Sequence, residues 1–122
     1  ADGTPDNRFA AKITTLATPQ NAPGSGIGIA TNVGVTRYPA QDTPVPIIKN
    51  EELILLRAEA RYFTGDVAGA LADINTIRTR SGGLAAIAQA QIATRDQFVT
   101  ELLLQRRLSL FMEGHRWIDV RR

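Results

Sequence analysis

The chain has 122 residues, 43% of them hydrophobic and 21% charged, with a formal net charge of +2. That composition suits one globular domain and excludes wholesale disorder, and the charge is too small to mark a nucleic-acid binder. There is no cysteine and a single histidine, His115, which excludes disulfides, thiol chemistry and a histidine-rich metal site.

Residues 1–49 carry all six prolines and show no sustained helical period. They read as an extended, loop-rich segment. Ile27, Ile29, Val33 and Val35, set among Gly, Thr and Asn, mark short strands or extended loop. The run Pro23-Gly24-Ser25-Gly26-Ile27-Gly28 has no helix directly after it and reads as a flexible loop, not a phosphate cradle. No run approaches the roughly 20 apolar residues of a membrane-spanning helix. No charged-then-apolar leader opens the chain, and a start at Ala1 reads as processed or excised material.

Residues 50–122 are expected to be helical. Asn50 is a candidate cap, with Glu51 and Glu52 in the first turn. The first helix runs to Thr64, with Leu53, Leu56, Ala60 and Phe63 as its apolar stripe and Ile54 and Leu55 widening it. Gly65 stops it, and Asp66 is placed to cap a second helix from Val67 to about Arg80, whose inner face is Val67, Ala70, Leu71, Ile74 and Ile77. The joint is so short that the two must fold back antiparallel, and Gly82-Gly83 ends the second.

Residues 84–93 fit either a short helix or a packed connector. Thr94 and Gln97 form a capping box, with Ala93 and Phe98 at the staple positions. A third helix extends to about Glu113 with Phe98, Leu102, Leu103, Leu110 and Phe111; apolar on more than one face, it needs more than one neighbour. Gly114 breaks it, and residues 115–119 continue as a turn or short helix.

The hairpin has the logic of a tetratricopeptide unit, with Ala58, Gly65, Ala70 and Leu71 at matching intervals. Such a unit cannot bury its apolar face alone, so an exposed apolar patch and self-pairing are expected. Catalytic constellations are close to absent. The carboxylate pairs Asp2/Asp6 and Glu113/Asp119 read as surface acids or partners of arginine, and the C-terminal arginines Arg106, Arg107, Arg116, Arg121 and Arg122 as a solvated face or as partners of acids. Glu113-Gly114-His115-Arg116-Trp117-Ile118-Asp119 reads as a structural clasp: Trp117 is its apolar anchor, and Glu113, Arg116 and Asp119 bond across one turn.

That string, with Arg106-Arg107 before it, resembles the late signature of the SusD/RagB-type proteins. Val45-Pro46-Ile47-Ile48, the helix reading Glu52 to Ala60, Gly65-Asp66 through Arg80-Ser81-Gly82-Gly83, and Asp6-Asn7-Arg8-Phe9 are similar to further family motifs. Gln105 stands where an acid usually precedes the arginine pair, and Asn7 where a proline does. The resemblance implies a mainly α fold. It also implies a non-enzymatic protein without cofactor or metal, held on the outer membrane by a lipid anchor on an N-terminal part outside this chain. It implies two partners: an oligosaccharide, or sometimes a peptide, and a SusC-like TonB-dependent transporter. Whole members are several times longer, so this chain is expected to be a portion of the C-terminal half and to bind glycan weakly or not at all by itself. Arg37 with Tyr38 is the one loop-borne aromatic–guanidinium pair, and hence the candidate ligand contact. The alternative reading is a tetratricopeptide-type module that binds other proteins.

Overall fold

The computed structural model describes residues 4–21 and 30–121. The elements in chain order are α1 (Asn7–Ala10), β1 (Ile13–Asn21), β2 (Ala30–Val35), α2 (Asn50–Phe63), α3 (Val67–Thr76), α4 (Arg95–Ser109) and α5 (Arg116–Asp119). A π-helical turn, Ile77–Ser81, prolongs α3, and a 3₁₀ turn, Gln89–Ile92, precedes α4. The fold is mainly α, with a small N-terminal sheet, as the sequence pattern indicates.

The α2–α3 hairpin is the frame. Gly65 takes a φ of 92° at the joint, a left-handed conformation that suits glycine. Asp66 then accepts from the Gly69 amide at 2.8 Å and starts α3. Arg61 reaches Asp73 at 2.8 Å and Arg57 reaches it at 2.6 and 3.0 Å, so residues ahead of the turn meet residues behind it and the helices run antiparallel. Ala58 and Ala70 are fully buried at the crossing. Small side chains there let the two backbones come close.

The stripe expected on α2 faces the wrong way. Leu53, Leu56 and Phe63 are 51%, 52% and 53% exposed, and Ala60 is exposed with them. The buried line is Leu55 and Ala58, flanked by half-buried Ile54 and Tyr62. At about 100° per residue the two lines lie on opposite sides of the helix. Arg57 and Arg61 lie on the flank between the two lines, where they reach Asp73, 4% exposed on α3; the Leu55–Ala58 side is the one that meets Ala70, Ile74 and Phe98 in the core. Asn50 does not cap α2 either. Lys49 occupies that position, with no side-chain cap bond.

The core joins Leu55, Ala58, Ala70, Ile74 and Ile77 of the hairpin to Ile87, Ile92, Phe98 and Leu102. Tyr62 stacks on Phe98 with ring centres 3.8 Å apart. Residues 84–93 prove to be a packed connector. The Asn75 side chain accepts from the Ile87 amide at 2.8 Å and donates to its carbonyl at 3.0 Å, holding Ile87 against the core. Thr94 and Gln97 cap α4 reciprocally, at 3.0 and 3.3 Å.

α4 ends at Ser109 rather than near Glu113. The Lys12 ammonium donates to the carbonyls of Leu108 at 2.5 Å and Ser109 at 2.8 Å, which a longer helix would have offered to amides one turn on. The segment before residue 50 is also more ordered than a loop. Asp6 caps α1, and the Asn7 amide donates to the Gly82 carbonyl at 3.0 Å. β1 pairs antiparallel with β2, Ile13 opposite Val35 and Asn21 opposite Ala30, with an irregularity between Thr15 and Gln20. The expected strand positions Val33 and Val35 lie in β2. Ile27, Ile29 and the glycine run 23–28 lie outside the described residues.

Candidate functional site at the end of helix α4

Four stretches distant in sequence converge where α4 stops. From the N-terminal motif, Asp6 takes Arg8 Nε and Nη2 at 2.9 and 2.6 Å, and Arg8 Nη1 donates to Ser109 Oγ at 3.1 Å. Burial tends to raise the Asp6 pKa, but the bonds from the Arg8 side chain and amide outweigh it and hold the carboxyl below the usual aspartate range. From the turn after α1, Lys12 covers the last α4 carbonyls. Its pKa is pushed down to about 8, first by burial and then by the neighbouring Lys49 charge.

The loop between β2 and α2 brings Arg37, Tyr38 and Lys49. Arg37 Nη2 and Lys49 Nζ each lie 2.5 Å from Glu113 Oε1, and Lys49 also donates to the Ser109 carbonyl at 3.4 Å. Arg37 Cζ sits 5.4 Å from the centre of the Tyr38 ring. Arg37 Nε is buried and donates to no acceptor among the described residues.

The C-terminal signature does not act as one clasp. Glu113 pairs backward with Arg37 and Lys49. Asp119, 3% exposed, accepts Arg106 Nε at 2.9 and 3.1 Å and so fastens α5 to α4. His115 Nε2 lies 3.6 Å from Glu52 Oε1 on α2. Gly114 has a φ of 80° and lets the chain reverse. Trp117 is not the expected apolar anchor: it is 67% exposed, and its ring carries the Arg121 guanidinium 4.4 Å from its centre. Arg116 is exposed and bonds to neither Glu113 nor Asp119. The clasp is ionic because the reversal at Gly114 turns Asp119 inward and Trp117 outward.

Lys12, Lys49 and Ser109 were not singled out from the sequence. The Lys12 bonds span 96 and 97 positions, and no local pattern marks such a pairing. The Arg57–Arg61–Asp73 set did leave a signal, two arginines four apart on the face of one helix and an acid on the next. Gln105, in the place of an acid, is fully buried. It donates to Glu101 at 2.7 Å, while its own oxygen has no partner among the described residues.

Among the described residues no three potential metal ligands come together, and no helix is long and apolar enough to cross a membrane. Glu113 and Asp119 are each engaged by cations; Asp2 lies outside the described residues.

The structure thus defines a helical-hairpin protein with a polar, ion-paired knot at one end. The model of the SusD family matches residues 5–122, and the chain belongs to that family. Membership points to nutrient or glycan binding, in a family of binding proteins and not enzymes. No curated protein and no solved structure matches the chain.

Proposed function

We propose that this chain supplies part of a non-catalytic protein that captures an oligosaccharide, or another oligomeric nutrient, at the outer membrane and delivers it to a SusC-like TonB-dependent transporter. The observation that carries the reading is membership of the SusD family across residues 5–122. Within it, the Arg37–Tyr38 pair is the glycan contact. Its ring offers a stacking face to the apolar side of a sugar, and the Arg37 guanidinium beside it can turn from Glu113 to donate to a hydroxyl. Division into a loop-rich part, 1–49, and a helical part, 50–122, puts this contact on the loop that leads into α2.

Isotope-labelled chain titrated with a panel of oligosaccharides tests the contact. Weak, saturable shifts at amides 36–40 are expected for at least one glycan, and Tyr38→Ala removes them. No shift there with any glycan refutes the contact. For the delivery step, the protein is expected to co-purify from the outer-membrane fraction with a large β-barrel transporter, and a soluble, unpartnered protein contradicts it.

One observation favours a second reading, a tetratricopeptide-type module for protein partners: the exposed line Leu53, Leu56, Ala60 and Phe63 on α2. Leu56→Asp separates the readings, because it abolishes protein capture and leaves the glycan shifts at Tyr38 in place.

A further inference from the structure

We propose that the groove along the C-terminal end of α4 binds an anionic oligosaccharide, one whose sugar units carry a carboxylate or a sulfate ester. The inference rests on the glycan-capture reading above and names the class of glycan.

The groove consists of two adjoining clefts. One, of about 180 Å³, lies between α1 and α4 and is walled by Phe9, Leu108 and Phe111. The other, of about 290 Å³, lies between the end of α4 and the reversal into α5 and is walled by Phe111, Met112 and His115. Arg107 and Phe111 line both, so the two are neighbouring subsites on one surface. The first is small for a ligand site, and the two together fall within the usual range of roughly 300 to 1,000 Å³.

The charges decide what fits. Arg8 is engaged by Asp6 and Ser109, Lys12 by the α4 carbonyls, and Arg106 by Asp119. Lys12 and Lys49 also cover the electronegative end of α4. Arg107 and Arg116 remain. Both line the larger cleft, and neither has an acid within ion-pair distance among the described residues. Asp119 is the one carboxylate in that cleft, and Arg106 already holds both its oxygens. Two arginines at one cleft, neither paired with an acid among the described residues, supply a site for an oxyanion, which each guanidinium can bind in a two-pronged way.

The walls are aromatic and apolar. Phe9 is 52% and Met112 55% exposed, and Phe111 is half-buried. A sugar ring can lay its C–H face on such a surface. A neutral sugar finds few acceptors for its hydroxyls here, whereas a uronate or sulfated sugar places its charge on Arg107 and Arg116. Backbone geometry holds the second arginine in place. Met112 at a φ of 61° and Gly114 at 80° reverse the chain, and the Arg106–Asp119 pair fixes the returning turn.

The test titrates labelled chain with an oligomer of galacturonic acid, its uncharged methyl-esterified counterpart, a sulfated oligosaccharide, inorganic sulfate and an oligoglutamate peptide. Shifts at amides 107–116 are expected with the acidic glycans and not with the methyl ester. Whether the galacturonate or the sulfated oligomer binds tighter tells carboxylate from sulfate ester as the source. Arg107→Gln and Arg116→Gln, both at exposed positions, each weaken binding roughly tenfold, while Arg80→Gln on the π turn leaves it unchanged. Equal binding of the methyl ester, of inorganic sulfate or of oligoglutamate overturns the proposal, as does indifference to both arginine replacements. Shifts confined to 36–40 overturn it and leave the glycan-capture reading standing; no shift with any glycan removes both.

Discussion

Replacing Asp119 by alanine should cost this protein a large part of its stability. Asp119 is 3% and Arg106 6% exposed, and Arg106 Nε lies 2.9 and 3.1 Å from the two carboxylate oxygens. Removing one partner leaves the other charge buried without compensation, a loss of about 3 to 5 kcal/mol. For a domain whose whole stability is about 5 to 15 kcal/mol, that is close to unfolding. With a urea slope of about 2 kcal/mol/M, the midpoint falls by roughly 2 M. Replacing both residues by apolar ones of similar size, Arg106→Met with Asp119→Leu, removes the stranded charge. It should therefore recover about 3 kcal/mol relative to Asp119→Ala. The assay is urea unfolding at neutral pH, followed by circular dichroism, for the wild type, both single replacements and the pair. Single losses under about 1 kcal/mol, or a double loss equal to the sum of the singles, would refute the claim that this ion pair closes α5 onto α4.

Four further outcomes follow from the same geometry. Lys12 has its folded pKa lowered to about 8 from 10.5, so between those values the unfolded chain binds more protons; stability should rise with pH across that window relative to Lys12→Met, and parallel melting curves of the two proteins from neutral to alkaline pH would contradict this. Asp6→Asn should cost about 1 to 2 kcal/mol through loss of the charged bonds to Arg8, since the asparagine oxygen still caps α1. Because the Asp6 pKa is lowered on folding, the difference should be full above the ordinary aspartate pKa and vanish as pH falls through the folded value, which acid titration of both proteins reads out. Asp66→Ala should cost about 1 kcal/mol, since it removes the carboxylate that accepts from the Gly69 amide and caps α3, and a thermal midpoint equal to wild type argues against it. Leu56→Asp should abolish concentration-dependent self-association in sedimentation, because it places a charge on the exposed apolar line of α2.

The elements bounded by short-range chemistry were legible in the sequence. Asp66 caps α3 and the Thr94–Gln97 pair caps α4 as their spacing indicates, because a cap depends only on residues within one turn. The antiparallel hairpin follows from a joint of three residues, Thr64 to Asp66. What could not be read was which way α2 rolls and where α4 ends. Apolar residues surround much of α2, so periodicity alone admits two opposite faces, and the choice falls to where the rest of the core packs, against Leu55 and Ala58. The end of α4 is set by a lysine ammonium from the far end of the chain. Of the candidate contact residues, the sequence singled out Arg37 and Tyr38 by composition, but their tie to Glu113 spans 76 positions and is visible only in three dimensions.

These long-range ties share one destination, and that bears on how the protein works. Asp6–Arg8, Lys12, Arg37 and Lys49 come from the segment before residue 50 and all end on Ser109, its neighbouring carbonyls or Glu113. Apolar packing holds α2, α3 and α4 together, whereas the loop-borne part is held to α4 largely by charge and hydrogen bonds. A glycan that draws on Arg37 competes directly with Glu113 for the same guanidinium. Ligand binding and the attachment of the loop to α4 are thus coupled through one side chain, and Glu113→Gln should loosen the loop while leaving Arg37 freer to meet a sugar. Faster amide exchange at 36–40 in Glu113→Gln, with the protection of Leu55, Ile74 and Leu102 unchanged, is the expected signature. Loss of protection throughout the chain would show that the knot holds the whole fold and not the loop alone.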